Sequence, residues 1–338
     1  FTINDADPQY RQLEDVAYQD GDAERRLRAP KSDVLHQFRA DVNSGKLPTV
    51  SWIVAPQAFS DHPSSAWYGA WYIAEVVKIL TSNPEVWKKT IFMLNYDEND
   101  GYFDHVPPFV APHPRKTETG RTSNGIDTGV DYVELAQDIK RGWGRGARGS
   151  SIGLGYRVPM VIASPWSRGG AVCSQVSDHT SIIQFLEKLL SHKLGKPVVE
   201  TNISRWRRAV CGDLTPSFRA ANDGDATVGF PTRNEYLESI HRAQFAPPPA
   251  EMKPIGEDDL SALRRDPAAS PHRPKQEPGT RPSSPLPYEL VVDGALNNSR
   301  SEFKIHFEVR NKAFGVRSCG APFVVYALDT KDGMMVRD

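Results

Sequence analysis

A short acidic segment, residues 96–105, follows directly on the apolar run 91–94 and most constrains what this chain can fold into. It reads Tyr-Asp-Glu-Asn-Asp-Gly-Tyr-Phe-Asp-His, so four carboxylates and a histidine lie within ten residues. The pattern predicts a buried strand that ends in an acid-lined loop. Open α/β sheets bind their ligands at such strand ends. Carboxylates clustered there either hold a cation or raise the pKa of their neighbours.

The periodicity of apolar residues predicts alternating strands and helices before residue 200. Strands are expected over residues 50–55, 90–96 and 158–163, and helices over residues 64–80 and 179–194. Ile73, Val77 and Leu80 form the apolar stripe of the first helix. Asp178 is the expected N-cap of the second helix, and Gly195 lies just beyond its end. This order predicts an α/β domain with a largely parallel sheet.

A proline-rich segment divides the chain. Residues 246–286 carry recurrent prolines and few large apolar side chains, which predicts an extended linker. Residues 1–245 are therefore expected to form the later part of a catalytic domain. Residues 287–338 are expected to begin a small β-sandwich module, with strands over 286–292 and 302–309 around an Asn-Asn turn.

Composition bounds the class of protein. The 338 residues carry a net charge of −1, which leaves no electrostatic footprint for nucleic acid. No apolar run reaches the roughly 18 residues that a membrane-spanning helix needs. The three cysteines, Cys173, Cys211 and Cys319, lack metal-site spacing, so we expect buried thiols. One disulfide bond between two of them is the alternative if the protein is exported. Because the chain starts at Phe1 without Met and ends just after a strand-like run, we expect a piece of a longer protein.

Asp97 and Glu98 are the candidate metal ligands. Adjacent carboxylates in a poorly solvated cleft repel each other unless a cation compensates, and divalent metals accept carboxylate oxygens. A solvated turn is the alternative for a bare Asp-Glu pair. The residues that follow, through Asp104 and His105, favour a site, and Gly101 permits the chain reversal.

Three histidines each follow an aspartate that can fix the histidine tautomer: His62, His105 and His179. Each suits a ligand or proton donor, although a structural hydrogen-bonding role is the alternative. The histidines without such a setting are expected on the surface or in packing; they are His113, His192, His241, His272 and His306.

Two further groups of residues leave alternatives open. The long connection 107–155 is rich in glycine, and its arginines can approach a phosphate or belong to a solvated loop. Aromatic residues near His62 can cage a quaternary ammonium group, although core packing is the more usual role. These residues are Arg141, Arg145 and Arg148 in the first group, and Trp52, Trp67, Tyr68 and Trp71 in the second. No nucleophilic serine elbow, in which G-x-S-x-G joins a strand to a helix, is predicted, since the G-S-S-I-G string at 149–153 lies within the glycine-rich connection. P-loop and H-E-x-x-H motifs are absent from the sequence, so classical triad hydrolases and P-loop enzymes are disfavoured.

Six segments together resemble the bacterial and fungal phosphocholine-preferring phospholipase C family, within the alkaline-phosphatase-like phosphoesterases. They are W-I-V-A-P-Q through D-H-P (52–63), N-Y-D-E-N-D-G-Y-F-D-H-V-P-P (95–108), G-L-G-Y-R-V-P-M (153–160), S-P-W-S-R-G-G (164–170), D-H-T-S (178–181) and W-R-R-A-V-C-G-D-L (206–214). The resemblance covers essentially the whole chain. It implies the later half of an alkaline-phosphatase-like central sheet flanked by helices, followed by the linker and the start of the β-module.

The resemblance also implies an activity. It indicates a secreted or periplasmic hydrolase that meets phospholipid at a membrane surface and cleaves phosphatidylcholine to diacylglycerol and phosphocholine, with sphingomyelin as a further candidate. In this family a hydroxyl attacks phosphorus beside a metal ion, and water hydrolyses the phosphoenzyme. Asp97 and Glu98 match the metal-ligating pair and His62 a phosphate-pocket histidine, while His105 and His179 are placed near the site.

One departure from the family pattern limits this assignment. The family's Glu-Asn metal motif and its nucleophilic Ser or Thr find no match in this chain, so the nucleophile is not named. We expect the chain alone to be inactive. A phosphomonoesterase of the same superfamily and a non-catalytic binding relative are the alternative functions.

Overall fold

The computed structural model describes residues 34–55, 59–60, 62, 66–104, 106–116, 119–142, 144–219, 254–269, 281–329 and 333–337, with isolated residues between 232 and 245. The chain divides into two compact units. The first comprises residues 1–94 and 161–165, and the second comprises residues 95–160 and 166–338. Within the described part, no helix has the length and apolar character needed to cross a membrane.

The helices in chain order are α1 (His36–Asn43), α2 (Ala66–Ser82), α3 (Pro84–Trp87), α4 (Leu135–Lys140), α5 (His179–Leu194), α6 (Arg205–Val210) and α7 (Glu257–Arg265). The strands are β1 (Phe92–Asn95), β2 (Tyr132–Val133), β3 (Ser150–Ser151), β4 (Met160–Ala163), β5 (Leu290–Leu296), β6 (Phe303–Val309), β7 (Val325–Asp329) and β8 (Gly333–Arg337). Single 3-10 turns lie at Gly129–Asp131, Gly144–Gly146, Thr215–Ser217 and Gly315–Arg317.

Helix α2 forms the core of the first unit and confirms the helix predicted over residues 64–80. Its buried face consists of Tyr72, Val76, Ile79 and Leu80, which pack with Leu35 and Val42 from the α1 region. The predicted stripe through Ile73 and Val77 is offset by one residue from this face. Both side chains are half-buried at its margin, because each residue turns the helix by about 100°.

Asn83 joins the helices of the first unit. Its side-chain oxygen accepts hydrogen bonds from the amides of Glu85 (3.2 Å) and Val86 (3.4 Å) and so caps α3. Its side-chain nitrogen donates to the Val42 carbonyl at 2.8 Å, which ties α1 to the end of α2. Pro84 takes the first helical position, where its missing N–H has no cost.

Strands β1 and β4 pair and confirm the strands predicted over residues 90–96 and 158–163, each somewhat shorter than predicted. Just beyond them, the Tyr96 amide donates to the Pro159 carbonyl at 3.1 Å. The carboxyl end of β1 therefore lies beside the amino end of β4, so this pair is antiparallel, whereas the sequence predicted a largely parallel sheet. Residues 50–55, predicted as a strand, have no strand conformation, and no described strand pairs with them.

The second unit contains the β2–β3 pair and the longest helix after α2. Tyr132 pairs antiparallel with Ser151, and Val133 with Ser150, so the long connection 107–155 contains regular structure. Helix α5 has the predicted bounds, with Asp178 and Ser181 forming a capping box and Gly195 ending it at a φ of 64°.

The proline-rich segment is described in part, and its role as a linker stays a prediction. Helix α7 lies within it, with acidic residues in its first turn and basic residues in its last, as the helix dipole favours. Ser283 bridges Val172, and the Val172 amide donates to the Pro282 carbonyl at 2.8 Å. Two antiparallel hairpins follow, β5–β6 and β7–β8. A sandwich of these hairpins stays a prediction.

Candidate functional site

Asp97 and Glu98 lie in a bend immediately after β1, and both are exposed. The next four residues form a tight turn, in which the Tyr102 amide donates to the Asn99 carbonyl at 3.0 Å. Asp100 and Gly101 adopt φ values of 53° and 75°, the left-handed conformation of a type I′ turn, which Asn, Asp and Gly tolerate best. The turn presents the two carboxylates at the strand end, as the sequence predicted.

The carboxylates of Asp97 and Glu98 could supply some, but not all, of the oxygen ligands of a hard cation. Neither forms an ion pair with a residue in the described part of the chain, so no described cation balances their negative charge. Among the described residues, no group of three or more His, Cys, Asp or Glu side chains is arranged to hold a metal ion. A divalent ion bound by Asp97 and Glu98 would take further oxygens from water or from groups outside this part of the chain.

The candidate histidines have three different outcomes. His62 lies in the first unit and is exposed, with its backbone amide 3.2 Å from the Ser60 hydroxyl. His105 lies outside the described residues. His179 is exposed at the first residue of α5, in the same unit as Asp97 and Glu98. Their catalytic roles therefore stay predictions.

Asp178, the residue before His179, serves the fold. One oxygen accepts hydrogen bonds from the Thr180 amide (2.8 Å) and hydroxyl (2.6 Å), while the other accepts from Arg207 at 2.6 Å. This carboxylate was expected to orient the histidine beside it. It instead anchors the start of α5 to α6.

Arg207 is the centre of a buried network that sequence reasoning missed. Besides Asp178, its guanidinium donates to Asp131 at 3.1 Å and to the Gly153 carbonyl at 3.0 Å. The side chains of Asp131 and Asp178 are only 3% and 6% exposed. The second oxygen of Asp131 is buried and has no hydrogen-bond partner in the described part of the chain. Arg207 thus holds three separate segments together.

Cys211 lies next to this network. Burial raises the pKa of its thiol, and the nearby Asp178 carboxylate raises it further. The thiol therefore stays protonated and unreactive, which agrees with the expected buried thiol. Cys173 and Cys319 are half-buried free thiols.

Arg208 forms a second ion pair with Glu187. Its two terminal nitrogens donate to the two carboxylate oxygens at 2.8 and 2.7 Å, and one also donates to the Glu200 carbonyl at 2.6 Å. Hydrogen bonds from Arg208 lower the pKa of Glu187 although burial opposes this. This forked contact fixes α6 against α5.

The structure does not gather the three loop arginines into a phosphate site. All three are exposed, and only Arg148 lines the cavity of about 400 Å³ that also includes Asp138. The core role expected for Trp71 is wrong, because this side chain is 44% exposed and its ring lies 5.7 Å from that of Phe59. The side chains of Trp67 and Tyr68 lie outside the described part.

A carboxylate pair at a strand end of an α/β frame is the arrangement expected of a metal-assisted hydrolase. The chain belongs to the Phosphoesterase family, whose model matches residues 6–191.

Three relatives are named as phospholipases C. The non-hemolytic phospholipase C of Burkholderia pseudomallei is 43% identical over 302 residues, covering 89% of this chain and 38% of the relative. The non-hemolytic phospholipase C of Pseudomonas aeruginosa is 40% identical over 296 residues, covering 87% and 38%. The hemolytic phospholipase C of the same organism is 38% identical over 280 residues, covering 80% and 33%. The chain thus spans little more than a third of the length of these relatives.

Proposed function

We propose that this chain supplies the metal-binding part of a phospholipase C active site. The reaction is hydrolysis of phosphatidylcholine, with sphingomyelin as a further candidate, and it releases diacylglycerol and phosphocholine. The observation that carries the proposal is the exposed Asp97–Glu98 pair at the end of β1, which has no ion-pair partner among the described residues. The alignments to the three relatives cover 80–89% of this chain, and the names of these relatives supply the reaction class.

Asp97 and Glu98 would hold a divalent metal ion of unspecified identity. When bound, such an ion supplies positive charge that stabilises the charge developing at phosphorus. The type I′ turn at residues 99–102 sets the direction of the backbone immediately after Glu98.

We further propose that His62, His105 and His179 serve around the substrate phosphate, as hydrogen-bond donors or in proton transfer. The hydroxyl that attacks phosphorus to form the phosphoenzyme is left unassigned. An exported enzyme would meet its substrate at a membrane surface.

The test uses a chimera in which this chain replaces the matched 302 residues of the B. pseudomallei relative. Release of phosphocholine from phosphatidylcholine is measured beside hydrolysis of a simple phosphate monoester. The proposal predicts a clear preference for the diester in kcat/KM. A large preference for the monoester would instead favour the phosphomonoesterase alternative, and metal binding without any turnover would favour a binding protein.

A further inference from the structure

An exposed aromatic surface lies on the two segments that adjoin the candidate metal site. It is defined by Tyr102, Phe103, Tyr156 and Arg157. The Phe103 and Tyr156 rings meet edge to face with centroids 5.0 Å apart, and the Arg157 guanidinium lies 5.2 Å from the centre of the Tyr102 ring. Tyr102 and Phe103 are 60% and 75% exposed. These contacts make one surface from two distant parts of the sequence.

The base of this surface is firmly held. The Leu154 amide donates to the Phe109 carbonyl at 3.0 Å, which ties the segment after Phe103 to the segment before Tyr156. Gly153 has a φ of 72°, and a side chain added there would lie 3.1 Å from a Val110 methyl group. Its carbonyl accepts the hydrogen bond from Arg207. The aromatic rings therefore project from an anchored backbone.

The chemistry of the surface fits one occupant. Tyr side chains with an apolar body and a polar tip, beside Phe, suit the boundary between lipid headgroups and acyl chains. A guanidinium suits the lipid phosphate. Four carboxylates lie within residues 97–104, so the loop disfavours anionic lipid and favours the trimethylammonium group, which aromatic faces also attract.

We propose that this aromatic surface docks on a zwitterionic, choline-bearing phospholipid bilayer and brings the Asp97–Glu98 pair to its substrate. The proposal rests on the proposed function and adds the surface that meets the lipid. Its occupant is the bilayer itself, because the surface continues the loop that carries the candidate metal ligands and has the charge pattern of a phosphocholine-binding face.

The experiment measures sedimentation of the chain with phosphatidylcholine vesicles for the parent, Phe103→Ala, Tyr156→Ala and a matched control, Phe245→Ala. Phe245 is 73% exposed, close to Phe103, and lies outside the aromatic surface. Loss of a ring that enters the interface should weaken vesicle binding about tenfold or more. The control should bind like the parent. Replacing a quarter of the lipid with phosphatidylserine should leave binding unchanged or weaker.

Activity of the chimera separates docking from catalysis. Phe103→Ala should lower hydrolysis of vesicle phosphatidylcholine about tenfold or more, and should lower hydrolysis of a soluble short-chain phosphocholine ester by a clearly smaller factor, because the soluble ester needs no docking on a bilayer. The proposal is overturned if the parent chain does not bind vesicles, if Phe245→Ala weakens vesicle binding as much as Phe103→Ala, or if the parent binds anionic vesicles more tightly. It is also overturned if Phe103→Ala lowers hydrolysis of the soluble ester by the same factor as hydrolysis of the vesicle lipid. An unmodified chimera that binds vesicles without any turnover would refute the proposed function and leave the docking surface standing.

Discussion

Replacing Arg207 with Met should destabilise the second unit more than any exposed substitution. Met has a similar length and no charge, so the change removes the guanidinium with little change in volume. Arg207 donates to Asp131, Asp178 and the Gly153 carbonyl at 3.1, 2.6 and 3.0 Å. The variant leaves both carboxylates without this partner.

The burial of the two carboxylates sets the magnitude. Their side chains are 3% and 6% exposed, so water cannot replace the guanidinium without local opening. Breaking a buried ion pair on one side costs about 3–5 kcal/mol, because the remaining charge is left unpaired. Most proteins have only about 5–15 kcal/mol of stability, so this is a large fraction. We expect the variant to unfold at a clearly lower urea concentration.

The assay is urea denaturation followed by circular dichroism, with Arg205→Met as the control on the same helix. Arg205 makes one exposed hydrogen bond, to the Gly125 carbonyl at 3.1 Å, and its loss should cost less than about 1 kcal/mol. Adding Asp131→Asn to Arg207→Met should recover part of the loss, since one orphaned charge is removed. If Arg207→Met falls within 1 kcal/mol of the control, the reasoning about orphaned charges is refuted.

Two other substitutions test local features of the same unit. The pKa of Glu187 is lowered by Arg208, so this carboxylate stabilises the fold above its ordinary pKa and loses that effect as pH falls through its folded-state pKa. Glu187→Gln should therefore cost about 2 kcal/mol at pH 7. In urea titrations the gap to the parent should narrow as pH falls below the ordinary glutamate pKa, and a gap independent of pH would contradict this. Gly153→Ala should lower the free energy of unfolding by about 1–3 kcal/mol, because of the positive φ of Gly153 and its close approach to Val110. Gly155→Ala should cost less, because Gly155 has a similar φ but open space around it. Equal thermal shifts for the two glycine variants would show that the Val110 contact is without consequence.

Local signals explain which elements sequence analysis predicted well. Each end of α5 is defined by the residue next to it: Asp178 caps its start, and Gly195 in the left-handed conformation ends it. The Asp97–Glu98 bend follows from an apolar strand and a turn sequence that are adjacent. Neither feature depends on a distant partner, so each is visible in the sequence.

Features that depend on distant partners were missed. The buried face of α2 is chosen by contact with α1, so its stripe differs by one residue from the one that periodicity favoured. Arg207 joins residues that lie 29, 54 and 76 positions away, and no short pattern indicates such a network. Residues 50–55 have the composition of a strand, but a strand also requires a neighbouring backbone with which to pair.

The most direct measurement compares Asp97→Asn and Glu98→Gln with Asp100→Asn in the chimera. Asp100 lies in the same loop, and Asn tolerates its positive φ, so it controls for charge and turn geometry. Loss of either proposed metal ligand should lower kcat on phosphatidylcholine by several orders of magnitude, weaken divalent-metal binding in calorimetric titration, and change the melting temperature little. The Asp100 variant should keep near-parental turnover and metal affinity. Near-parental turnover of Asp97→Asn and Glu98→Gln would show that the pair is a solvated turn and would contradict the account.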